Sequence, residues 1–221
     1  MKSMKRIVNK IGYVYCAVIE DLYKVYFQYI AKDSTQLYSE VLRFFATKYP
    51  INEMPSIDSI VNDKVSFYTH TYELTEGIKE GLWHKVGKHK ELGDIEHICF
   101  RCCQDFSHNM ETPDYQWFMW EINKKEFIDI GPQLTNDQAN IDIGSVYPAD
   151  FILEKVKTGR YSDENVRIKK VQSVIDKGYI DTKEDYEYIK RAIIFLEGDE
   201  FKKTKEELLA LLSEFKKTRQ L

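Results

Sequence analysis

Residues 12–31 read "GYVYCAVIEDLYKVYFQYIA", and this stretch decides how the fold begins. Two runs rich in Val, Ile, Tyr and Phe, at 12–19 and 23–31, flank the polar pair Glu20-Asp21. Aromatic and β-branched side chains suit the pleated, half-buried surface of a sheet. A short polar connection between two such runs predicts a β-hairpin.

Further strands are predicted along the chain, separated by Gly, Asn, Asp and Pro, which punctuate regular structure. They cover residues 37–49, 64–74, 83–88, 95–103, 115–122 and 126–131. Residues 56–63 predict a helical turn. Residues 144–160 predict a helix that Pro148 begins and Gly159 ends. Eight short strands at this spacing predict an α+β protein with a strongly bent antiparallel β-sheet or a small barrel.

The composition changes near residue 160. Residues 161–221 are dense in charge but contain as many acidic as basic side chains, so the net charge of −4 resides in residues 1–160. Apolar stripes in this tail predict three short amphipathic helices, one ended by Gly178 and one begun by a capping box of Thr204 and Glu207. We therefore expect a β-rich domain at 1–160 and a helical extension at 161–221.

Net charge and hydropathy give no support for a nucleic-acid-binding, membrane or secreted protein. A net charge of −4 and a pI near 5.8 give no support for nucleic-acid binding, which needs clustered Lys and Arg. The sequence contains no run of about 18 apolar residues, so no membrane span is predicted. The first 20 residues lack the pattern of a secretory signal. These features predict a cytoplasmic protein with reduced cysteines and no membrane association.

The stretch "EHICFRCCQDFSHN" (96–109) contains a Cys-x-x-Cys pair, Cys99 and Cys102. Apolar neighbours give it the composition of a strand, in which side chains alternate between faces. Cys99 and Arg101 would then face one side, and Cys102 the other with Phe100. A pair split in this way cannot chelate a metal together, and no second pair is present. The sequence predicts packed thiols here, with no metal, cofactor or catalytic residue.

Candidate partner-binding residues come from two aromatic stretches and one polar loop. "GLWHKVGKHKELGD" (81–94) places His84 beside Trp83 in a small basic patch, although the alternative interpretation is a strand that carries Trp83 inward. Trp117 and Trp120 are three apart, so one enters the core and the other lies outside or beneath a tail helix. The loop 105–109 adds Asp105 and His108. The partner-binding residues expected are Trp83, His84, Asp105, His108 and Trp120.

Four stretches occur in an order that resembles a family of bacterial immunity-type proteins from polymorphic toxin systems. They are "KIGYVYCAVI" (10–19), "FYTHTYEL" (67–74), "IKEGLWHKVGK" (78–88) and "DIGSVYPADFILEKVKTGR" (142–160). The sequence is also similar to proteins of Bacteroides-type gut bacteria. The resemblance covers about residues 10–160 and does not extend to the helical tail.

The resemblance implies a small β-rich cytoplasmic protein that binds and neutralises a toxin, without catalytic residues. Tyr and Trp in abundance also favour protein interfaces. One alternative is a hydrolase or nuclease using some of His84, His89, Asp105 and His108, which requires these groups to converge on one pocket. A second is a nucleic-acid adaptor with a basic face that the linear sequence conceals. The oligomeric state stays open.

Overall fold

A computed structural model of the chain describes residues 7–106, 115–196 and 199–219. The strands in these ranges are β1 (Tyr13–Ile19), β2 (Tyr23–Lys32), β3 (Glu40–Phe45), β4 (Tyr49–Pro50), β5 (Val65–Thr71), β6 (His84–Lys88), β7 (Cys99–Asp105), β8 (Tyr115–Glu121) and β9 (Phe127–Gly131). The helices are α1 (Ile57–Val61), α2 (Leu74–Lys79), α3 (Asn136–Ala139), α4 (Ala149–Thr158), α5 (Ser162–Lys177), α6 (Lys183–Ala192) and α7 (Lys202–Arg219). The α+β class is therefore confirmed, and each predicted strand has a counterpart.

The strands form two sheets. The larger has the order β5-β3-β2-β1-β6, with β4 pairing to β2, and every pairing within it is antiparallel. The smaller has the order β7-β8-β9. The larger sheet ends at β5 on one side and β6 on the other, so among the described strands it does not close into a barrel. A barrel has no free edges, so the small barrel that eight predicted strands allowed is not formed by the described strands.

The β1–β2 hairpin forms as predicted. Glu20 and Asp21 have φ of 51° and 56°, and the amide of Leu22 donates to the carbonyl of Ile19 at 2.9 Å. Positive φ at both central residues is the mark of a type I′ turn, whose twist matches that of the flanking strands. The polar pair thus sets the register between two apolar strands.

An aromatic row crosses one face of the larger sheet. Tyr15, Phe27, Phe44 and Phe67 are cross-strand neighbours on β1, β2, β3 and β5, and consecutive rings stack with centroids 5.2, 4.5 and 4.7 Å apart. Trp83 meets Phe27 edge-on at 5.2 Å. Cross-strand aromatic pairs are a main source of sheet stability, so this row fixes four strands together.

The opposite face of the larger sheet packs against two elements. Near one end α1 covers a cluster of Val14, Cys16, Tyr26, Phe45, Ile60 and Val61. Near the other end, β7, β8 and the residues next to them supply part of a second cluster, which consists of Ile30, Ala31, Val41, Ile98, Phe100, Trp120 and Ile122. Both faces of the central strands are consequently buried.

The chain divides into two compact units. The first comprises residues 1–102, 118–128 and 141–159, and the second comprises 103–117, 129–140 and 160–221. The core of the second unit is formed by helices α5, α6 and α7, with Val171, Ile189, Leu208 and Phe215 among its buried side chains. The last segment of this unit begins at residue 160, but the unit also includes two segments, 103–117 and 129–140, that we had assigned to the β-rich domain.

Helix ends follow the sequence in part. Gly159 and Gly178 end α4 and α5 with φ of 81° and 76°, the left-handed conformation expected of them. Pro148 is the N-cap of α4 and not its first helical residue. The capping box expected at Thr204 is wrong, because a 3₁₀ turn at Asp199–Phe201 leads into α7 two residues before it. No helix in the described ranges has both the length and the apolar character that crossing a bilayer requires.

Candidate functional site

Trp83 is a core residue in the first unit. Its side chain is 2% exposed, and the indole Nε1 donates to the carbonyl of Leu74 at 3.0 Å. A Cβ added to Gly77 would lie 2.2 Å from the indole ring, which shows how closely α2 approaches it. A side chain enclosed in this way has no area to offer a partner. The expectation that Trp83 binds a partner is therefore wrong, and the alternative of an inward-facing tryptophan is correct.

Trp120 is also 2% exposed, and its ring lies 5.2 Å from that of Phe100 and 5.5 Å from that of His70. Trp117 packs edge-on against Phe195 at 5.9 Å. The pair therefore faces opposite sides of β8, as the spacing predicted, and the second indole lies beneath the tail. Trp120 too is reassigned to the core, because its indole is enclosed by other side chains.

The remaining predicted binding residues have different outcomes. His84 is exposed at the start of β6. The side chain of Asp105 and the whole of His108 lie outside the described residues. His89 Nε2 lies 2.9 Å from an oxygen of Asp58, at the start of α1. The hydrolase alternative uses some of these four residues, and it stays a prediction.

The cysteine stretch alternates as expected. Cys102 packs with Phe100 against the buried cluster, whereas the Sγ of Cys99 lies 3.6 Å from the carbonyl of His97. Arg101 is buried, and its Nε donates to the carbonyl of Ile141 at 2.7 Å. Burial raises the pKa of both Cys99 and Cys102, which keeps the thiols protonated and weakly nucleophilic. No three His, Cys, Asp or Glu side chains within the described ranges gather to hold a metal.

A buried serine–histidine pair lies on β5, and sequence reasoning missed it. His70 Nδ1 is 2.8 Å from Ser39 Oγ, and both residues are almost wholly enclosed. Burial lowers the pKa of His70 to about 4, with the carboxylate of Asp33 opposing the shift. His70 Nε2 has no partner in the described part of the chain. A hydroxyl without access to solvent cannot meet a substrate, so this pair is a packing feature.

The surface that keeps an expected binding residue is the outer edge of the larger sheet at β6. We call Tyr13, His84, Lys85, Val86 and Lys88 the β6 surface. Every β6 residue except Gly87 is exposed, and Val86 is an apolar side chain among cations. A continuous group of exposed cations around an aromatic ring is a candidate recognition site.

A β-bulge gives the β6 surface its geometry. Lys88 pairs with Tyr13 and Lys85 pairs with Tyr15, while the register shifts between Val14 and Tyr15 and leaves Val86 as the extra residue. In a regular strand, side chains three positions apart point to opposite faces. The extra residue reverses this alternation, and both lysines lie on the face of Tyr13.

Two ammonium groups consequently share one aromatic ring. The Nζ of Lys85 is 4.2 Å from the centroid of Tyr13, and that of Lys88 is 5.9 Å from it. Neither lysine forms an ion pair with any carboxylate of the described residues, and Lys90 forms none either. Two cations beside the same ring attract an anion to this part of the surface. No alternation rule could have revealed the arrangement, because the bulge creates it.

The two edges of the larger sheet differ in their backbone partners. On β5, the amide of Tyr68 donates to the Oδ2 of Asp142 at 2.8 Å, and the carbonyl of His70 accepts from the amide of Tyr147 at 2.9 Å. Segment 141–147 thus covers this edge. On β6, β1 is the one strand that pairs among the described residues. Within the described part of the chain, the outer backbone groups of β6 therefore have no strand partner.

Comparisons with protein-family models, with curated proteins and with solved structures find no match to this chain. The case for a function therefore depends on the chain's own residues and geometry.

Proposed function

We propose that this chain is a non-catalytic protein-binding module that neutralises a bacterial toxin in the cytoplasm, in the manner of an immunity protein. The partner contacts the β6 surface through acidic side chains. The resemblance of four sequence stretches to immunity-type proteins supports the role, and the charge of the β6 surface supports the site.

One observation carries the choice of site. Lys85 and Lys88 both lie near the ring of Tyr13, and no carboxylate of the described residues pairs with either, so their charges are available to an acidic partner. A carboxylate that reaches both ammonium groups would gain two charge-assisted contacts. Exposed ion pairs contribute up to about 1 kcal/mol each, and close pairs desolvated at an interface contribute more. Val86 and the ring of Tyr13 add apolar contact beside the charges.

A protein partner is favoured over nucleic acid by the limited extent of the charge. The salt-dependent affinity of nucleic-acid binders arises from many phosphate contacts, on the order of six to ten. Here the cations are few, and Asp58, Glu91 and Asp94 lie close in sequence or space. An open strand edge also matches the hydrogen bonds of a peptide better than those of a duplex.

The test is a charge reversal measured against the toxin encoded by the neighbouring gene. We expect Lys85→Glu with Lys88→Glu to weaken the complex at least about tenfold, which corresponds to about 1.4 kcal/mol. Lys64→Glu with Lys125→Glu is the matched control, since both side chains are exposed cations of the same unit and the change in net charge is identical. The control should change the affinity by less than about twofold.

Two results would contradict the proposal. If both double variants bind the toxin equally well, the β6 surface is not the site. If no complex forms, and the unmodified protein instead binds a random-sequence duplex with a steep salt dependence, then the nucleic-acid adaptor becomes the better hypothesis.

A further inference from the structure

The outer backbone edge of β6 indicates how a partner binds, in addition to the charge that the lysines select. We propose that the partner adds a strand to β6, and that the added segment is extended and acidic. This inference rests on the proposed function, because it specifies how the same surface holds its partner.

The first support is the contrast between the sheet edges. β5 has its outer amide and carbonyl groups bonded to segment 141–147, through Asp142 and Tyr147. β6 has no such cover in the part of the chain that the structure describes. Unpaired N–H and C=O groups along an edge are a template for another strand. Of the two edges, only β6 could accept one without first displacing part of the described chain.

The second support is the identity of the edge side chains. Lysines on an edge prevent pairing between identical strands, since a second copy of β6 would bring the same cations against Lys85 and Lys88. The same charges favour an acidic strand, because opposite charges across a strand pair stabilise it. The surface therefore selects against a second copy of this chain and in favour of a different, acidic segment.

The third support is the spacing that the bulge imposes. Lys85 and Lys88 lie on one face of the sheet although they are three residues apart. An added strand presents alternate residues on one face. Acidic residues at two alternate positions would thus lie on the same face as both lysines. The intervening residue would lie on the face of Gly87, where an added Cβ would come within 2.9 Å of Ile57 on α1.

Two peptides of equal charge test strand addition with the full chain. The first alternates Glu and Val and exceeds the five residues of β6 in length. The second has the same sequence with every other backbone nitrogen methylated, which removes those donors but keeps each carboxylate. We expect the first peptide to bind at least about tenfold more tightly, as loss of several backbone hydrogen bonds implies. We also expect it to slow hydrogen exchange of the backbone amides in β6 and not of those in β5.

The outcomes separate this inference from the proposed function. Equal affinity of the two peptides, or no binding of either, overturns strand addition. If the Lys85 and Lys88 reversals nevertheless weaken the toxin complex, the proposed function is retained, and charge without strand addition holds the partner. Loss of that reversal effect overturns the proposed function itself, whichever peptide binds.

Discussion

The two edge strands of the larger sheet differ in how their outer backbone groups are protected. At β5, a segment from far along the chain covers the edge through Asp142 and Tyr147. At β6, short length, a bulge and lysines protect the edge without covering it. Proteins use both devices to keep strand edges from aggregating. Only the second leaves the edge available to a partner of the right charge.

The comparison predicts that enclosed residues and the cover of β5 determine stability, whereas exposed residues of the β6 surface determine binding. The following changes test that division, beginning with the largest expected effect.

Trp83 and His84 are adjacent in sequence, yet one is enclosed and the other exposed. Trp83→Ala should lower the free energy of unfolding by about 4 kcal/mol, because it removes a large buried side chain and leaves a cavity. His84→Ala should lower it by less than about 0.5 kcal/mol. Denaturant unfolding of both variants measures the difference. A similar loss in the two would show that β6 is not an exposed edge.

Asp142 is the anchor of the covered edge. Its Oδ1 lies 3.2 Å from Lys155 Nζ while its Oδ2 accepts from Tyr68, and both ion-pair side chains are largely buried. Asp142→Ala should lower the free energy of unfolding by about 3 kcal/mol. It removes the carboxylate that pairs with the largely buried Lys155 and accepts from the amide of Tyr68. Asp142→Asn keeps an acceptor for Tyr68 and should cost less. Hydrogen exchange at Tyr68 should accelerate in the Ala variant, and an unchanged rate would argue against the cover.

Acid should weaken the covered side through His70. Its pKa is about 4 in the folded protein and about 6.5 when unfolded, so the unfolded state binds the proton more readily between these values. Stability is therefore lost as pH falls from 6.5 toward 4, by about 2 kcal/mol at pH 5. His70→Gln cannot titrate and should lack this component. The measurement is the difference in the pH dependence of unfolding between the two proteins, and parallel curves would contradict the assignment.

The smallest effect on stability is expected at the open edge. Lys85→Ala with Lys88→Ala removes two cation–π contacts to Tyr13, which at an exposed site are worth about 0.5–1 kcal/mol, and it also relieves a repulsion. The net change should stay below about 1 kcal/mol in thermal unfolding. A larger loss would mean that these lysines support the fold.

Much of the secondary structure could be predicted because its signals are local. The hairpin at Glu20-Asp21 and the ends of α4 and α5 depend on residues that are neighbours in the chain. The split of Cys99 from Cys102 follows from alternation within a single strand. The helix α2 was missed, because residue 74 ends a run of strand-forming residues and α2 is only six residues long.

The candidate site depended far more on tertiary contacts. His84 was expected at a binding surface and is exposed, while Trp83 beside it lies against Gly77 and Leu74. Sequence could give the aromatic character of Trp83 but not the element that covers it. The hydrogen bond between Ser39 and His70 likewise joins the residue before β3 to β5, and no local pattern connects them.

The sequence by itself determined the α+β class, the first hairpin and the glycines that end α4 and α5. Only the tertiary structure decided which tryptophans are enclosed and that segment 141–147 covers the β5 edge, whereas no described segment covers the edge at β6. Turn geometry and alternation are properties of consecutive residues. The bulge that joins Lys85 and Lys88 over Tyr13, and the cover of β5, arise from pairing between residues far apart in the chain.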